Sequence, residues 1–486
     1  MDILDFAGSL LHGGLSNLAA YLAAHVLLCL VPAFFIAGGM TSLIPNETVT
    51  RFLGRNTPKY ISYPAAALAG SVLAVCSCTI VPLFAGIYTM GAGIGPAITF
   101  LFFAPAANIL ALVYTGGIIG PDIAFARFFL SLAFGVGIGM IMALIFSRED
   151  IVRDQEAGLL FTDQRKMHRA ALILLLVLVV LLLSGTLKLG FLTDSYGKLT
   201  LPIPGVDSFQ RWLFQLMPFD AGKGEEGVTA QGAILIVLLS LIGLSAWKGL
   251  QNIIEGFNGW TWTSLILVIL TMLTASVGMH PHLGGLDILF TGKFLGVVLS
   301  IAVIIFLARY RLEKEEVQNW LWESWRFIKQ IFPLLIMGVF VVGIIRQIIR
   351  PEWIESLAGK NTILGNLAGV VFGVFMYFPT LVEVPIAKMF LSLGMHRGPL
   401  LAYLMADPEL SLQSILMIST IIGRLKAWTY VGWVALFSML AGLIYGSWVD
   451  GANVWHIALY MMFFLSVLAF ILYLVNKRNR RKTIAL

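Results

Sequence analysis

This sequence has little charge. Asp, Glu, Lys and Arg make up 12% of its 486 residues against 59% apolar residues, with a mean hydropathy of +0.90, where a soluble domain carries about a quarter charged residues. A single core could not bury that much apolar surface, which excludes a soluble globule. Cysteine is scarcer still. The three that occur, Cys29, Cys76 and Cys78, all fall within apolar segments, which does not suggest a stabilising extracellular disulfide framework. The opening Met1-Asp-Ile-Leu-Asp5 has no Lys or Arg, so it lacks the basic region of a cleavable leader. Also missing are a Walker loop, a dinucleotide fingerprint and a His-Glu-x-x-His pair, which disfavours ATP-driven transport by this chain, familiar soluble catalysis and a bound cofactor.

What is there is a series of apolar runs. Spans are expected near 18–44, 94–119, 121–146, 169–192, 230–247, 261–279, 287–308, 327–349, 397–422, 425–446 and 454–476, about eleven crossings of a bilayer that needs roughly 20 apolar residues for each. Two more apolar segments, 61–93 and 363–395, are interrupted near their middles by Pro and polar residues. As single helices they would be about 50 Å long, so each is read as a re-entrant hairpin. Charge placement agrees. With hairpins, the basic loop 148–169 and the terminal cluster Lys477, Arg478, Arg480, Arg481 and Lys482 share the cytoplasmic side. Arg346, Arg350 and Lys360 then lie outside, against the rule. The net charge of +6 therefore points to membrane orientation, not to nucleic acid.

The strongest signal is a repeat. Residues 70–120 align without a gap on 373–423, a shift of 303, with eleven identities, mostly Gly and Pro. Among them are Gly70 with Gly373, Pro82 with Pro385, Gly91 with Gly394, Pro105 with Pro408 and Gly120 with Gly423. Seven crossings separate the starts of the two units, and an odd number inverts one relative to the other. The expected fold is an all-α polytopic membrane protein of inverted repeats, each with a hairpin and a Pro-broken helix, the substrate site lying where broken helices meet. Repeat 1 spans 18–147, a cytoplasmic loop and four-span insertion 148–326, repeat 2 327–446, and a last span with a basic cytoplasmic tail 447–486. The four inserted spans and the last span are read as scaffold or homodimer surface.

Chemistry is expected at the interruptions. Cys76-Ser-Cys-Thr-Ile-Val-Pro82 places two thiols at the first hairpin tip, a site suited to soft ions or metalloids, although buried Cys also serves as a small apolar residue. His25 and Cys29 share a helix face and are candidates to join those thiols or to pack in a core. Pro105 breaks the next helix and leaves Asn108 near mid-bilayer. In the second copy Glu383 replaces Ile80, Asp407 replaces Ala104, Glu409 replaces Ala106 and Ser411 replaces Asn108. Acids at membrane depth mark substrate or proton pathways, so Glu383, Asp407 and Glu409 are the proton-coupling candidates. The structural alternative pairs Glu383 with Lys388, and Asp407 or Glu409 with Arg397 or another cation, as static glue. Arg127 is read with Asp122 as an interfacial ion pair or a snorkelling side chain. His280 and His282 fall in a solvated outer loop.

Cys76-Ser-Cys-Thr-Ile-Val-Pro-Leu-Phe-Ala-Gly86, Gly91-Ala-Gly-Ile-Gly-Pro96 and Phe103-Ala-Pro-Ala-Ala-Asn108 resemble the signature of the predicted permease family that includes the organoarsenical efflux permeases. The resemblance implies a multi-pass plasma-membrane permease for a small molecule or ion and carries over Cys76, Cys78, Pro82, Pro105 and Asn108. This chain departs from compact members in its inserted spans and in a second hairpin without thiols. Three functions remain open: export of a thiophilic solute by proton antiport, a permease for an unrelated small anion, and a membrane thiol oxidoreductase cycling Cys76 and Cys78.

Overall fold

A computed structural model describes residues 3–23, 26–44, 46–55, 57–72, 77–147, 169–186, 190–217, 227–282, 285–348, 352–376 and 380–453, with 149, 455, 458, 462 and 466. The helices run in order as α1 (Ile3–Ala23), α2 (Val26–Leu43), α3 (Asn46–Leu53), α4 (Lys59–Val72), α5 (Ser77–Thr89), α6 (Ile94–Ala106), α7 (Ile109–Ile118), α8 (Pro121–Ile145), α9 (Arg169–Thr186) and α10 (Gly190–Thr193). They continue as α11 (Val206–Leu216), α12 (Ala230–Gly249), α13 (Gly259–Ser276), α14 (Gly292–Tyr310), α15 (Lys314–Ile348) and α16 (Glu352–Ala358). The last five are α17 (Ile363–Phe375), α18 (Thr380–Ser392), α19 (Arg397–Leu410), α20 (Leu412–Ile422) and α21 (Arg424–Val449). Three strands, β1 (Ser195–Leu201), β2 (Gly278–His282) and β3 (Gly285–Thr291), complete the described elements.

Among the described residues, seven helical stretches are long and apolar enough to cross a bilayer: 94–118, 121–145, 230–249, 259–276, 292–310, 314–345 and 424–449. Three more of the expected crossings fall on α2, α9 and the broken α19–α20. The protein is thus a mostly helical, multi-pass membrane protein. The span at 454–476 lies almost wholly outside the described residues, as do the basic tail after it and 150–168.

The chain forms two compact units, one from residues 1–46, 78–87 and 165–348, the other from 47–77, 88–164 and 349–486. The first unit packs α1 and α2 on α15, with α9, α12, α13 and α14 around them. Leu28, Leu181, Met272 and Val297 join α2, α9, α13 and α14 in one buried cluster. Trp320 Nε1 donates to the Phe35 carbonyl at 2.8 Å and fixes α15 against α2. Here the expected boundaries shift. Residues 18–23 belong to α1, a separate helix, and α15 extends thirteen residues N-terminal of the expected 327 start through a charged stretch.

A sheet in the order β1-β3-β2, antiparallel throughout, occupies what reads in sequence as loop and as the ends of the spans expected at 261–279 and 287–308. Its register sets Asp287 opposite both Thr200 and His280. Thr200 Oγ1 donates to Asp287 Oδ1 at 2.7 Å, and Lys198 Nζ pairs with Oδ2 at 2.8 Å. Those two partners hold the Asp287 carboxyl below the usual carboxylate range. His280 and His282 are therefore strand residues, His282 Nε2 standing 3.5 Å from Asp287 Oδ1.

The backbone carries the repeat, in the second unit together with α5, which falls almost wholly in the first. α5, α6, α7 and α8 begin at 77, 94, 109 and 121, and α18, α19, α20 and α21 at 380, 397, 412 and 424, each 303 later. Gly91 and Gly394 both take positive φ (93° and 90°), and so do Gly120 and Gly423 (152° and 86°), a region costly for residues with a Cβ. A Cβ on Gly70 would meet the Ala104 backbone and one on Gly373 the Asp407 backbone, the same contact shifted by 303.

Each apolar segment of the hairpins does return to its start. Gly93 N donates to the Leu53 carbonyl and His396 N to the Ala358 carbonyl, both at 2.9 Å, so entry and exit lie side by side. The helices within them, at 13–14 residues, are about 20 Å long and too short to cross.

The copies run in opposite senses. α8 and α21 are equivalent helices, and Asp122 at the start of α8 bonds Tyr445 near the end of α21 at 2.7 Å. At the other end Lys426, on the first turn of α21, lies over Phe146 and pairs with Glu149 at 2.8 Å. Midway, Phe134 packs edge-on against Phe437, centroids 4.8 Å apart. These two are the same position in the two copies, so a local two-fold axis passes between them, as in an isologous contact.

Candidate functional site

The broken helices exist because of their prolines and are capped differently. α6 ends one residue after Pro105, and α7 restarts behind Asn108, whose Oδ1 accepts from Ala111 N at 2.8 Å while Nδ2 donates to the Ala104 carbonyl at 3.1 Å. Asn108 is an N-cap. In the second copy the break falls after Leu410, and Ser411 spends its hydroxyl on Ser414 Oγ at 2.7 Å. Asp407, Glu409, Ser411 and Asn108 are all buried.

The break in the first copy is filled by a residue whose role the sequence misassigns. Arg127, on α8, is fully buried. Its Nε donates to the Ala106 carbonyl at 2.7 Å, satisfying an orphan acceptor of the broken helix, and its Nη1 donates to Thr115 Oγ1 at 3.2 Å. The same Nη1 pairs with Glu383 Oε1 at 2.7 Å, both side chains at 0% exposure. The interfacial reading of Arg127 is thereby corrected: it neither snorkels nor binds Asp122. Asp122 instead pairs with Arg397 Nη1 at 2.5 Å, with Tyr445 completing the cluster. Lys388 is exposed, so the static pairing of Glu383 with Lys388 is replaced by Arg127, and Arg397 goes to Asp122 instead of Asp407 or Glu409.

Glu383 occupies the first turn of α18, where the helix dipole favours a carboxylate, and α18 packs on α7. One helix on, Glu409 Oε2 accepts from the buried Tyr430 hydroxyl at 2.7 Å. Tyr430 is Arg127 shifted by 303, and Glu409 is Ala106 shifted by 303. One contact is thus made twice, once as guanidinium to carbonyl and once as phenol to carboxylate. α19 packs on both α6 and α8, so the two decorated breaks lie on neighbouring helices. Extending the sequence alignment seven residues past Gly423 pairs Arg127 with Tyr430, a polar match that would have exposed both.

The remaining candidates are placed only in part. Pro82 lies inside α5. Cys76 and His25 lie outside the described residues. Cys29 and Cys78 belong to α2 and α5, and their side chains are outside the described ones. Among the described residues no three His, Cys, Asp or Glu side chains group as metal ligands.

A family model described as "Predicted permease" matches residues 12–447. The chain is 35% identical over 450 residues to UPF0718 protein MJ0584 of Methanocaldococcus jannaschii, covering 92% of this chain and 98% of that one. It is also similar to UPF0718 protein YraQ of Escherichia coli, 29% identical over 118 residues (24% of this chain, 34% of that one). A third likeness is to UPF0718 protein YcgR of Bacillus subtilis, 25% identical over 125 residues (25% and 42%). No solved structure matches.

Proposed function

Since the chain belongs to the predicted permease family, we propose that it is a secondary-active permease exporting a thiophilic metalloid or soft metal species in exchange for protons. The observation that carries this reading is the buried ion pair of Arg127 and Glu383 at a broken helix. Ionisable groups at membrane depth are costly and mark ion or substrate pathways. Family membership also speaks for a transporter over a thiol oxidoreductase.

In this reading Glu383 exchanges a proton as Arg127 leaves or returns, and Glu409 and Asp407 pass protons on. Cys76 and Cys78 ligate the soft cargo transiently, a role supported by their Cys-x-Cys spacing in an otherwise thiol-poor chain. Pro82 and Pro105 shape the interrupted helices, and Asn108 and Ser411 set where α7 and α20 restart. His25 and Cys29 are further ligand candidates. The protein sits in the plasma membrane with its C-terminus in the cytoplasm, following the positive-inside rule, and the inserted spans offer a homodimer surface. The test is uptake of methylarsenite, Zn²⁺ or Cu⁺ into everted vesicles under an imposed pH gradient. Gradient-driven uptake that falls in Glu383→Gln and in Cys76→Ser with Cys78→Ser supports the reading. Uptake indifferent to both removes it. A small-anion permease is the second reading, favoured by one observation: Arg127 Nη2 is buried without a hydrogen-bond partner.

A further inference from the structure

The buried groups around Arg127 leave both kinds of hydrogen-bonding capacity unused. Arg127 spends Nε and Nη1, and its Nη2 has no partner. Glu383 offers Oε1 to Arg127, and its Oε2 has none. Glu409 gives Oε2 to Tyr430, and its Oε1 has none. All three side chains are 0–2% exposed. A buried polar group without a partner is costly, so a group retained in that state marks a place where a ligand completes the set.

The balance of what is missing restricts the ligand. A bare cation would satisfy the carboxylate oxygens, yet it would leave Nη2 unpaired and face the guanidinium. An oxyanion would satisfy Nη2, yet it would face two carboxylates. A hydroxyl group both donates and accepts. We propose that the centre formed by Arg127, Glu383 and Glu409 binds a neutral solute through hydroxyl groups, one accepting from Arg127 Nη2 and others donating to the free carboxylate oxygens. Thr115 on α7 and Tyr430 on α21 adjoin the centre through their hydrogen bonds with Arg127 and Glu409, and Asp407 shares α19 with Glu409. This rests on the permease reading and deepens it: a soft element would arrive at this centre as its neutral hydroxide, not as a bare ion.

Boric acid is the probe, because at pH 7 it is neutral, carries three hydroxyls and has no affinity for thiols. The measurement is thermal unfolding of the full chain in detergent, titrated with boric acid, sodium sulfate, sodium chloride or zinc chloride. A saturable rise in the unfolding midpoint is expected with boric acid. In Arg127→Gln with Glu383→Gln, a charge-neutral pair, half of that rise should need on the order of tenfold more boric acid or more. If that pair fails to fold, Glu409→Gln, which keeps an acceptor for Tyr430, should weaken the response likewise. Saturable stabilisation by sulfate alone or by zinc alone, a response indifferent to these substitutions, or no response to any probe would overturn the proposal. Boric acid binding with no methylarsenite flux would instead remove the export reading and leave this site standing.

Discussion

Arg127 and Tyr430 hold the same position in two copies of one unit, and the difference between them makes the site. An arginine buried at 0% exposure needs a counter-charge, and Glu383 supplies it from a helix of the other copy. Removing one partner leaves the other charge buried and uncompensated, at a cost of about 3–5 kcal/mol. Glu383→Gln should therefore be strongly destabilised in denaturant or heat, and adding Arg127→Gln should restore most of the loss. Asn108 makes a different prediction. As an N-cap it should lose about 1 kcal/mol on Asn108→Ala and little on Asn108→Ser, with flux following stability; flux that fails in the Ser variant at wild-type stability would assign Asn108 to the cargo. At this scale the acids were legible because charge is rare in an apolar chain. Their partners were not, since the pairing of residues 127 and 383 crosses the inverted halves and leaves no local pattern.

The elements show why Gly and Pro carried most of the repeat. Gly70 and Gly373 each admit the backbone of a broken helix, α6 in one copy and α19 in the other. Gly70→Ala and Gly373→Ala should each cost about 1–3 kcal/mol by overpacking, and comparable losses in the two variants would confirm that one contact is used twice. Two clasps join the copies at opposite ends of α8: Asp122 with Arg397 and Tyr445, and Glu149 with Lys426. Hydrogen exchange near residue 122 should quicken in Asp122→Asn, and near residue 146 in Lys426→Gln, each without the other.

Helices, hairpins and breaks could be placed from sequence because apolar length and Pro position are local signals. The sheet could not, because Thr200 and Asp287 bond across 87 residues of chain. Nor could α1 be told from α2, since the apolar run continues across their junction. Asp287 adds a pH dependence of known sign: its carboxyl is held low in the fold, so the sheet's stabilisation is present above the usual carboxylate value and is lost as pH falls through the folded one. Melting of a sheet-reporting probe such as His282 by NMR should thus shift to lower temperature in acid.

On the scale of the whole molecule, the second unit is an inverted pair whose axis runs between Phe134 and Phe437, with buried charge concentrated at the broken helices. That arrangement recurs in secondary transporters, where ions and cargo meet near mid-membrane, and it agrees with membership of a permease family spanning residues 12–447. In the proposed antiport the Arg127–Glu383 pair couples protons to cargo. The direct measurement is proton movement in proteoliposomes holding a pH-sensitive dye and exposed to a methylarsenite gradient. Wild-type protein should move protons against the methylarsenite flux, and the charge-neutral Arg127→Gln with Glu383→Gln protein, once shown to be folded, should not. Proton movement of undiminished stoichiometry in that variant would show that the pair does not couple protons to cargo.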